Sequence, residues 1–162
     1  MKPQPVAQDT RTGLYTAAQR ARRDASVWTV VQGILAPVQF LVFLVSLGLV
    51  LRFLLTGAGY EIATVSILIK TGFLYLIMVT GAIWEKIVFG QYLFAPAFFW
   101  EDVFSFAVIA QHTAYVWALF QGSMTPDALM VLALAAYAAY VINAGQFLLK
   151  LRAARLQAEA AS

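Results

Sequence analysis

The chain contains no cysteine and very little charge. Its 162 residues are 62% hydrophobic and only 12% charged, whereas a soluble domain carries about 25% charged residues. Too little charge is available to cover a water-facing surface, so the composition predicts a membrane protein with one domain. The absence of cysteine excludes disulfide bonds, thiol catalysis, thiolate zinc sites and iron–sulfur clusters.

The sequence also lacks the short motifs of phosphate, metal and haem sites, and no internal repeat is visible. Its net charge of +3 does not indicate nucleic-acid binding, because the lysines and arginines lie near the ends of apolar runs. That placement is a topology signal in membrane proteins. No signal peptide is evident, since the first apolar run begins near residue 27 and is too long for the core of one.

Four apolar runs are long enough to cross a bilayer, which requires about 20 residues at 1.5 Å each. They predict an all-α integral membrane protein, a four-helix bundle with spans at about 27–55, 61–83, 98–120 and 127–149. Pro37 lies inside the first span, where we expect a kink or a tilt. The fourth span is rich in small residues that allow close helix packing.

Polar segments flank the four spans at 1–26 and 150–162. We expect about the first ten residues to be disordered and residues 17–24 to form a basic helix at the membrane edge. Thr16 and Gln19 match a capping box for this helix. Either Asp24 or Ser26 can cap the helix that follows. The C-terminal tail is basic, then polar, and is expected to fray.

Lysine and arginine are distributed unevenly across the predicted membrane. If there are four spans, nine fall on one side: Lys2, Arg11, Arg20, Arg22, Arg23, Lys86, Lys150, Arg152 and Arg155. Arg52 alone falls on the other side, and Lys70 lies within the second span. Because cytoplasmic segments are enriched in lysine and arginine, both termini and the segment 84–102 are predicted to be cytoplasmic.

The segment 84–102 is an aromatic and acidic island between two apolar runs, with a tryptophan beside a carboxylate at each end. Glu101 and Asp102 begin the third span, where a helix dipole favours negative charge. Glu85 lies at the end of the second span. Charged groups at this depth can act as acid or base on a molecule lodged between helices. The segment is therefore either an ordinary interfacial anchor or the rim of a site.

Two ionisable residues fall within the spans. Lys70 lies near the middle of the second, where an unpaired charge is costly, so it should face the bundle interior. His112, the only histidine, lies at a similar depth in the third. It shares a helix face with Glu101, although about 16 Å separates them along the axis. Both have a structural interpretation, as hydrogen-bonded partners between helices, and a functional one.

Five stretches of sequence are distinctive: LYTAAQRARRDAS at 14–26, VQGILAPVQFLVFLVSLGLVLRFL at 31–54, MVTGAIWEKIVFGQYLFAPAFFWEDVFS at 78–105, HTAYV at 112–116 and NAGQFLLKLRAARL at 143–156. Together they resemble the 3-vinyl bacteriochlorophyllide hydratase family of bacteriochlorophyll biosynthesis (2-vinyl in older naming). The resemblance covers about residues 14–156. It implies an enzyme, a hydro-lyase that adds water to the 3-vinyl group of a chlorophyllide and leaves a 1-hydroxyethyl group.

The resemblance also implies the substrates, the cofactor requirement and the location of the reaction. The substrates would be a chlorophyllide-type tetrapyrrole and water, and no cofactor is expected, since magnesium enters only as part of the substrate. The location would be a bacterial inner or intracytoplasmic photosynthetic membrane, beside other enzymes of the pathway. A flat apolar macrocycle with a free propionate suits four apolar spans with a basic rim. No nucleic-acid partner is expected, and the oligomeric state is left open.

We hypothesise acid-catalysed hydration, in which one carboxylic acid protonates the vinyl group and a second carboxylate activates water. Glu85 and Glu101 are the first candidates and Asp102 the reserve, with their roles left open. His112 is a candidate axial ligand of the substrate's magnesium. Further candidates for substrate contact are Lys70, Arg20, Arg22, Arg23, Lys86, Asn143, Gln146, Trp84 and Trp100. The alternative is a non-catalytic pigment-binding, carrier or assembly protein.

Overall fold

The computed structural model describes residues 13–160, so the disorder expected in about the first ten residues lies outside the described residues. Within them the regular structure is entirely helical: α1 Ala17–Ala25, α2 Val27–Thr56, α3 Tyr60–Phe89, α4 Phe99–Gln121 and α5 Pro126–Ala160. The four helices α2 to α5 are long and apolar enough to cross a membrane. The prediction of an all-α chain with four helices of spanning length is confirmed.

The predicted capping box begins α1. The Gln19 backbone N–H donates to the Thr16 hydroxyl at 3.2 Å, and the Thr16 N–H donates to the Gln19 side chain at 2.9 Å. Ser26 ends α1 and caps α2, accepting the Trp28 N–H at 3.2 Å. Tyr15, just before α1, stacks on Phe89 of α3 with ring centroids 5.8 Å apart. These contacts hold the basic helix against the end of α3.

Two helices continue beyond the predicted spans. α3 extends from the predicted end at 83 to Phe89 and stops at Gly90, whose φ of 88° favours glycine. α5 continues through the expected tail to Ala160, because that stretch is rich in strong helix formers. An Arg155–Glu159 pair one turn apart, at 2.9 Å, supports this part of the helix. α2 runs through Pro37 as a single helix.

The long helices associate as two hairpins, α2 with α3 and α4 with α5. Their shared core is apolar and aromatic, with Phe43, Val50, Ile67, Val108, Tyr115, Met130 and Tyr137 among its buried members. Many large apolar side chains face outward instead, for example Leu55, which is 83% exposed. That pattern is expected where the solvent is lipid hydrocarbon and the inward faces carry the polar groups.

Residues 90–98, here called the roof loop, connect α3 to α4. Phe98 is buried and packs against Tyr15, Trp84 and Phe147. Phe94 has a φ of 58°, a left-handed backbone conformation that is unusual for a bulky residue. This conformation folds the loop back over the end of α3 and the start of α4. The roof loop thereby covers the acidic residues of both helices.

Candidate active site

Two acidic side chains from different helices meet beneath the roof loop. Glu85 lies near the end of α3 and Asp102 in the first turn of α4, and their carboxyl groups lie close enough to each other to interact electrostatically. They are only 5% and 3% exposed. Two buried carboxyl groups this close favour a proton on one of them, because two negative charges would repel each other. We call this arrangement the carboxyl pair.

The backbone of the roof loop points two donors at the carboxyl pair. The Phe94 N–H donates to Asp102 Oδ2 at 2.7 Å, and the Ala95 N–H donates to Glu85 Oε2 at 3.3 Å. The left-handed φ of Phe94 helps to turn these successive amides inward. Residues held in sparsely populated backbone conformations cluster at functional sites. The loop therefore forms part of the site as well as its cover.

Glu101 belongs to a separate contact. Its Oε2 accepts a hydrogen bond from Lys150 Nζ of α5 at 2.6 Å. Lys150 also donates to the Ala97 carbonyl and lies 5.3 Å from the centre of the Phe98 ring. The structure therefore places Asp102, the residue held in reserve, beside Glu85, while the catalytic role of Glu101 stays a prediction. The cause of this placement is the rotation of α4, which turns adjacent residues about 100° apart.

Lys150 is a residue that the sequence did not place at the site. In the sequence, the only informative feature of Lys150 is a positive charge at the end of a span, and that feature predicts membrane topology. Forty-nine positions separate it from Glu101. No local pattern links residues so far apart, because the contact depends on how α4 and α5 pack.

Asn143 and Gln146, both predicted to contact substrate, lie on α5 next to these acids. Asn143 Nδ2 donates to Ser105 Oγ of α4 at 2.8 Å, and the Ser105 hydroxyl donates to the Glu101 carbonyl at 2.8 Å. Asn143 Oδ1 and Gln146 Oε1 are buried, and neither has a hydrogen-bond partner among residues 13–160. Two acceptors therefore remain available within one to two helical turns of Lys150.

Lys70 and His112 meet at the centre of the bundle. Lys70 Nζ lies 3.1 Å from His112 Nε2, and His112 Nδ1 donates to the Val108 carbonyl at 2.8 Å. The ammonium group lies 4.0 Å from the centre of the Tyr140 ring. Both ring nitrogens are engaged and His112 is 1% exposed. These contacts favour the structural interpretation of the pair, and ligation of the substrate's magnesium by His112 stays a prediction.

Two further candidates have hydrogen-bond partners within the structure. Trp84 Nε1 donates to Thr29 Oγ1 at 2.9 Å, which ties α3 to α2. Lys86 Nζ donates to the Gly90 carbonyl at 2.8 Å and caps the end of α3. Trp100 differs, because it is 65% exposed at the start of α4. Trp84 and Lys86 thus have partners within the protein and Trp100 faces the surroundings, while contact of the three with substrate stays a prediction.

The predicted arginines lie on α1. Arg23 forms an ion pair with Asp24 at 2.7 Å and lies 4.8 Å from the centre of the Tyr15 ring. Burial raises the pKa of Tyr15, an effect that the Arg23 guanidinium opposes. Arg20 and Arg22 are exposed. Of the three, Arg20 and Arg22 are the ones whose charge faces outward at the rim.

The chemistry that this site can support is proton transfer. The carboxyl pair offers a proton donor and a proton acceptor in apolar surroundings, and the roof-loop amides stabilise the negative charge. Among residues 13–160, no three histidine or carboxylate side chains converge as metal ligands. An arrangement of this kind suits a reaction that protonates one atom of a substrate and removes a proton from another.

Comparisons with known proteins identify the family. The model of the 2-vinyl bacteriochlorophyllide hydratase family matches residues 15–153. A 2-vinyl bacteriochlorophyllide hydratase of Rhodobacter capsulatus is 72% identical over 157 residues, covering 96% of this chain and 91% of the relative. One of Cereibacter sphaeroides is 76% identical over 149 residues, covering 91% and 92%. No solved structure matches the chain.

Proposed function

The chain belongs to the 2-vinyl bacteriochlorophyllide hydratase family, and on that basis we propose that it is a hydro-lyase of bacteriochlorophyll biosynthesis. It adds water across the vinyl group of a bacteriochlorophyllide-type tetrapyrrole, the group numbered 3 in current naming, and gives a 1-hydroxyethyl group. The observation that carries the chemistry is the burial of the neighbouring Glu85 and Asp102 carboxyl groups beneath the amides of the roof loop. Hydration requires one proton to be given and one to be taken, and the pair does both.

Glu85 is the proton donor in this proposal. Asp102 accepts the shorter amide hydrogen bond, 2.7 Å against 3.3 Å for Glu85, and it lies in the first turn of α4. The helix dipole and the Phe94 amide both stabilise a negative charge on Asp102. The shared proton therefore resides on Glu85. Glu85 transfers it to the terminal vinyl carbon, and the positive charge that forms on the inner carbon is delocalised into the macrocycle.

Asp102 then acts as the base. A water molecule attacks the inner carbon, and its oxygen forms the new carbon–oxygen bond while one of its protons passes to Asp102. The proton returns to Glu85 from the neighbouring carboxyl group of Asp102. The pair is restored without net exchange of protons with the solvent, as the addition of a neutral water molecule requires.

Binding of the substrate requires movement of the roof loop, because Glu85 and Asp102 are almost completely buried beneath it. The macrocycle would lie among the apolar side chains at the rim of the bundle. Its propionate would lie near exposed cations of α1, and Arg20 and Arg22 are the candidates whose charges face outward. The exposed Trp100 offers a flat apolar surface beside the same rim.

The experiment that tests this function uses membranes containing the full chain, the vinyl substrate and water labelled with ¹⁸O. We expect a 1-hydroxyethyl product whose mass carries the label. Glu85→Gln and Asp102→Asn should abolish most of the labelled product. Glu61→Gln is the matched control, since Glu61 is an exposed carboxyl group at the opposite end of α3. Pigment retained by the wild type without incorporation of the label would instead indicate a carrier.

We also propose the orientation of the chain in a bacterial photosynthetic membrane. Four spanning helices place both termini on the same side, and the excess of lysine and arginine there favours the cytoplasm. Because the chain has no cysteine, single cysteines report the topology cleanly. Ser162→Cys should react with an impermeant maleimide only in inverted vesicles, and Ala58→Cys only in spheroplasts. The reverse pattern would overturn the orientation.

A further inference from the structure

The hydrogen bonds between α4 and α5 leave one buried acceptor in a defined position. The Ser105 hydroxyl has a single proton, and it is donated to the Glu101 carbonyl at 2.8 Å. Ser105 Oγ can therefore only accept from Asn143, which fixes the amide with its Nδ2 toward Ser105 at 2.8 Å. The orientation of the Asn143 amide follows from this, and its Oδ1 is the atom that lacks a partner among residues 13–160.

Asn143 Oδ1 is one of several buried side-chain atoms without a hydrogen-bond partner among residues 13–160. Asn143 is 7% exposed, and the large majority of buried side-chain polar atoms in proteins have a hydrogen-bond partner, protein or water. Gln146, three residues along the same face of α5, presents a second buried acceptor, Oε1. Both oxygens accept hydrogen bonds and neither donates them. The ligand they suit is a small donor, and water is the smallest.

The position of this acceptor relative to the carboxyl pair is fixed by α4. Ser105, which holds the Asn143 amide, is three residues beyond Asp102 and four beyond Glu101, so all three lie within about one helical turn. All three are buried. The Asn143 amide is therefore held about one turn further into the bundle than Glu101 and Asp102, by a residue that lies between the two acids in angle around α4.

We propose that Asn143, together with Gln146, binds the water molecule that is added to the vinyl group; this inference rests on the proposed hydratase function. The water donates one hydrogen bond to Asn143 Oδ1 and keeps a lone pair for the inner vinyl carbon. When the carbon–oxygen bond forms, its other proton passes to Asp102. The proton that reaches the terminal carbon comes from Glu85, so the atoms of one water molecule are added in total. A fixed water also attacks one face of the planar cation, which sets the handedness of the new alcohol.

The test measures both the rate and the handedness of the product. Asn143→Leu keeps the size of the side chain and removes the acceptor. We expect kcat to fall about tenfold, as for the loss of one hydrogen bond, while KM stays within about twofold. The ratio of the two epimers at the new alcohol carbon should move toward equality. Chiral chromatography of the product measures that ratio, which a merely structural role would leave unchanged.

Two further variants make the test decisive. Gln146→Leu leaves the bond between Asn143 and Ser105 intact, so it reports on the water site even if Asn143→Leu fails to fold; a smaller shift of the epimer ratio is expected. Gln39→Leu is the matched control, because Gln39 is a buried amide with an unpartnered oxygen on α2, and the ratio should not change. An unchanged epimer ratio in Asn143→Leu and Gln146→Leu overturns the proposal, whether or not the rate falls. If the wild type gives no labelled alcohol, it is the hydratase function itself that fails.

Discussion

At the rim of the bundle two acids, Glu85 and Asp102, lie beside each other beneath a loop. At its centre two bases, Lys70 and His112, are in contact at 3.1 Å beside the ring of Tyr140. Both pairs are buried and both join α3 to α4. They differ in what surrounds them: backbone amides of a nine-residue loop at the rim, and side chains packed from several helices at the centre.

That difference separates a site suited to catalysis from a contact that stabilises the bundle. A loop held by a few backbone hydrogen bonds can move at modest cost, whereas a bundle core is close-packed and resists rearrangement. The rim pair has a proton to give and an acceptor beside it. The central pair has its nitrogens engaged, including His112 Nδ1 with the Val108 carbonyl. We therefore expect substitutions at the rim to change catalysis and substitutions at the centre to change stability.

The largest effect is expected for Glu85→Gln, which keeps the shape of the side chain and removes the transferable proton. kcat should fall at least about 100-fold, the usual scale for loss of a general acid. Steady-state assays in membranes, normalised to the amount of folded chain, measure it. Asp102→Asn should lower kcat by a similar factor, since the two carboxyl groups act as a unit. Turnover near that of the wild type in either variant would remove the carboxyl pair from the mechanism.

At the centre, His112→Leu should lower stability and leave the chemistry nearly intact. The Lys70 ammonium group loses its acceptor in an apolar interior, at a cost of about 1–3 kcal/mol. Thermal unfolding in detergent measures the loss. Thr113→Val is the control: it removes a hydrogen bond of 2.6 Å to Tyr75 at the exposed face of the neighbouring position, and its cost should be smaller. A large loss of kcat per folded His112→Leu molecule would contradict the separation of the two regions.

A smaller effect is expected for Lys150→Met, which breaks the contact between α5 and the rim. Glu101 loses its cation and the Ala97 carbonyl loses its donor, so the roof loop is held less firmly. We expect kcat/KM to fall about three- to tenfold, in line with one or two lost hydrogen bonds. The control is Arg152→Gln, whose side chain is exposed two residues later. Equal values of kcat/KM for Lys150→Met and Arg152→Gln would show that Lys150 contributes to membrane topology and not to the site.

The smallest effect is expected at the outward-facing arginines of α1. Arg20→Gln combined with Arg22→Gln should raise KM about two- to threefold without changing kcat, because exposed charges attract a carboxylate only weakly. High salt should reduce the difference between this variant and the wild type. Arg155→Gln, on the C-terminal part of α5, serves as the control. A change in kcat instead of KM would indicate that these arginines take part in the reaction itself.

Much of the architecture could be predicted because it depends on local sequence. Apolar runs set the four spans, and the capping box of Thr16 and Gln19 forms as predicted. The helices α3 and α5 continue beyond the predicted spans, because hydropathy marks the membrane portion of a helix and not the whole helix. The predicted depth of Lys70 and His112 left both a structural and a functional interpretation open. Their contact depends on the packing of α3 against α4, which no local pattern shows.

The sequence by itself determined the composition of the rim: three carboxyl groups and the aromatic loop between them, at one end of the bundle. The tertiary structure alone decided their partners. Glu101 and Asp102 are neighbours in the chain but point about 100° apart on α4, so the rotation of that helix sends Asp102 to Glu85 and Glu101 to Lys150. Helix rotation is set by the packing of all four long helices. For that reason no local pattern could have chosen the pair that we propose carries the proton.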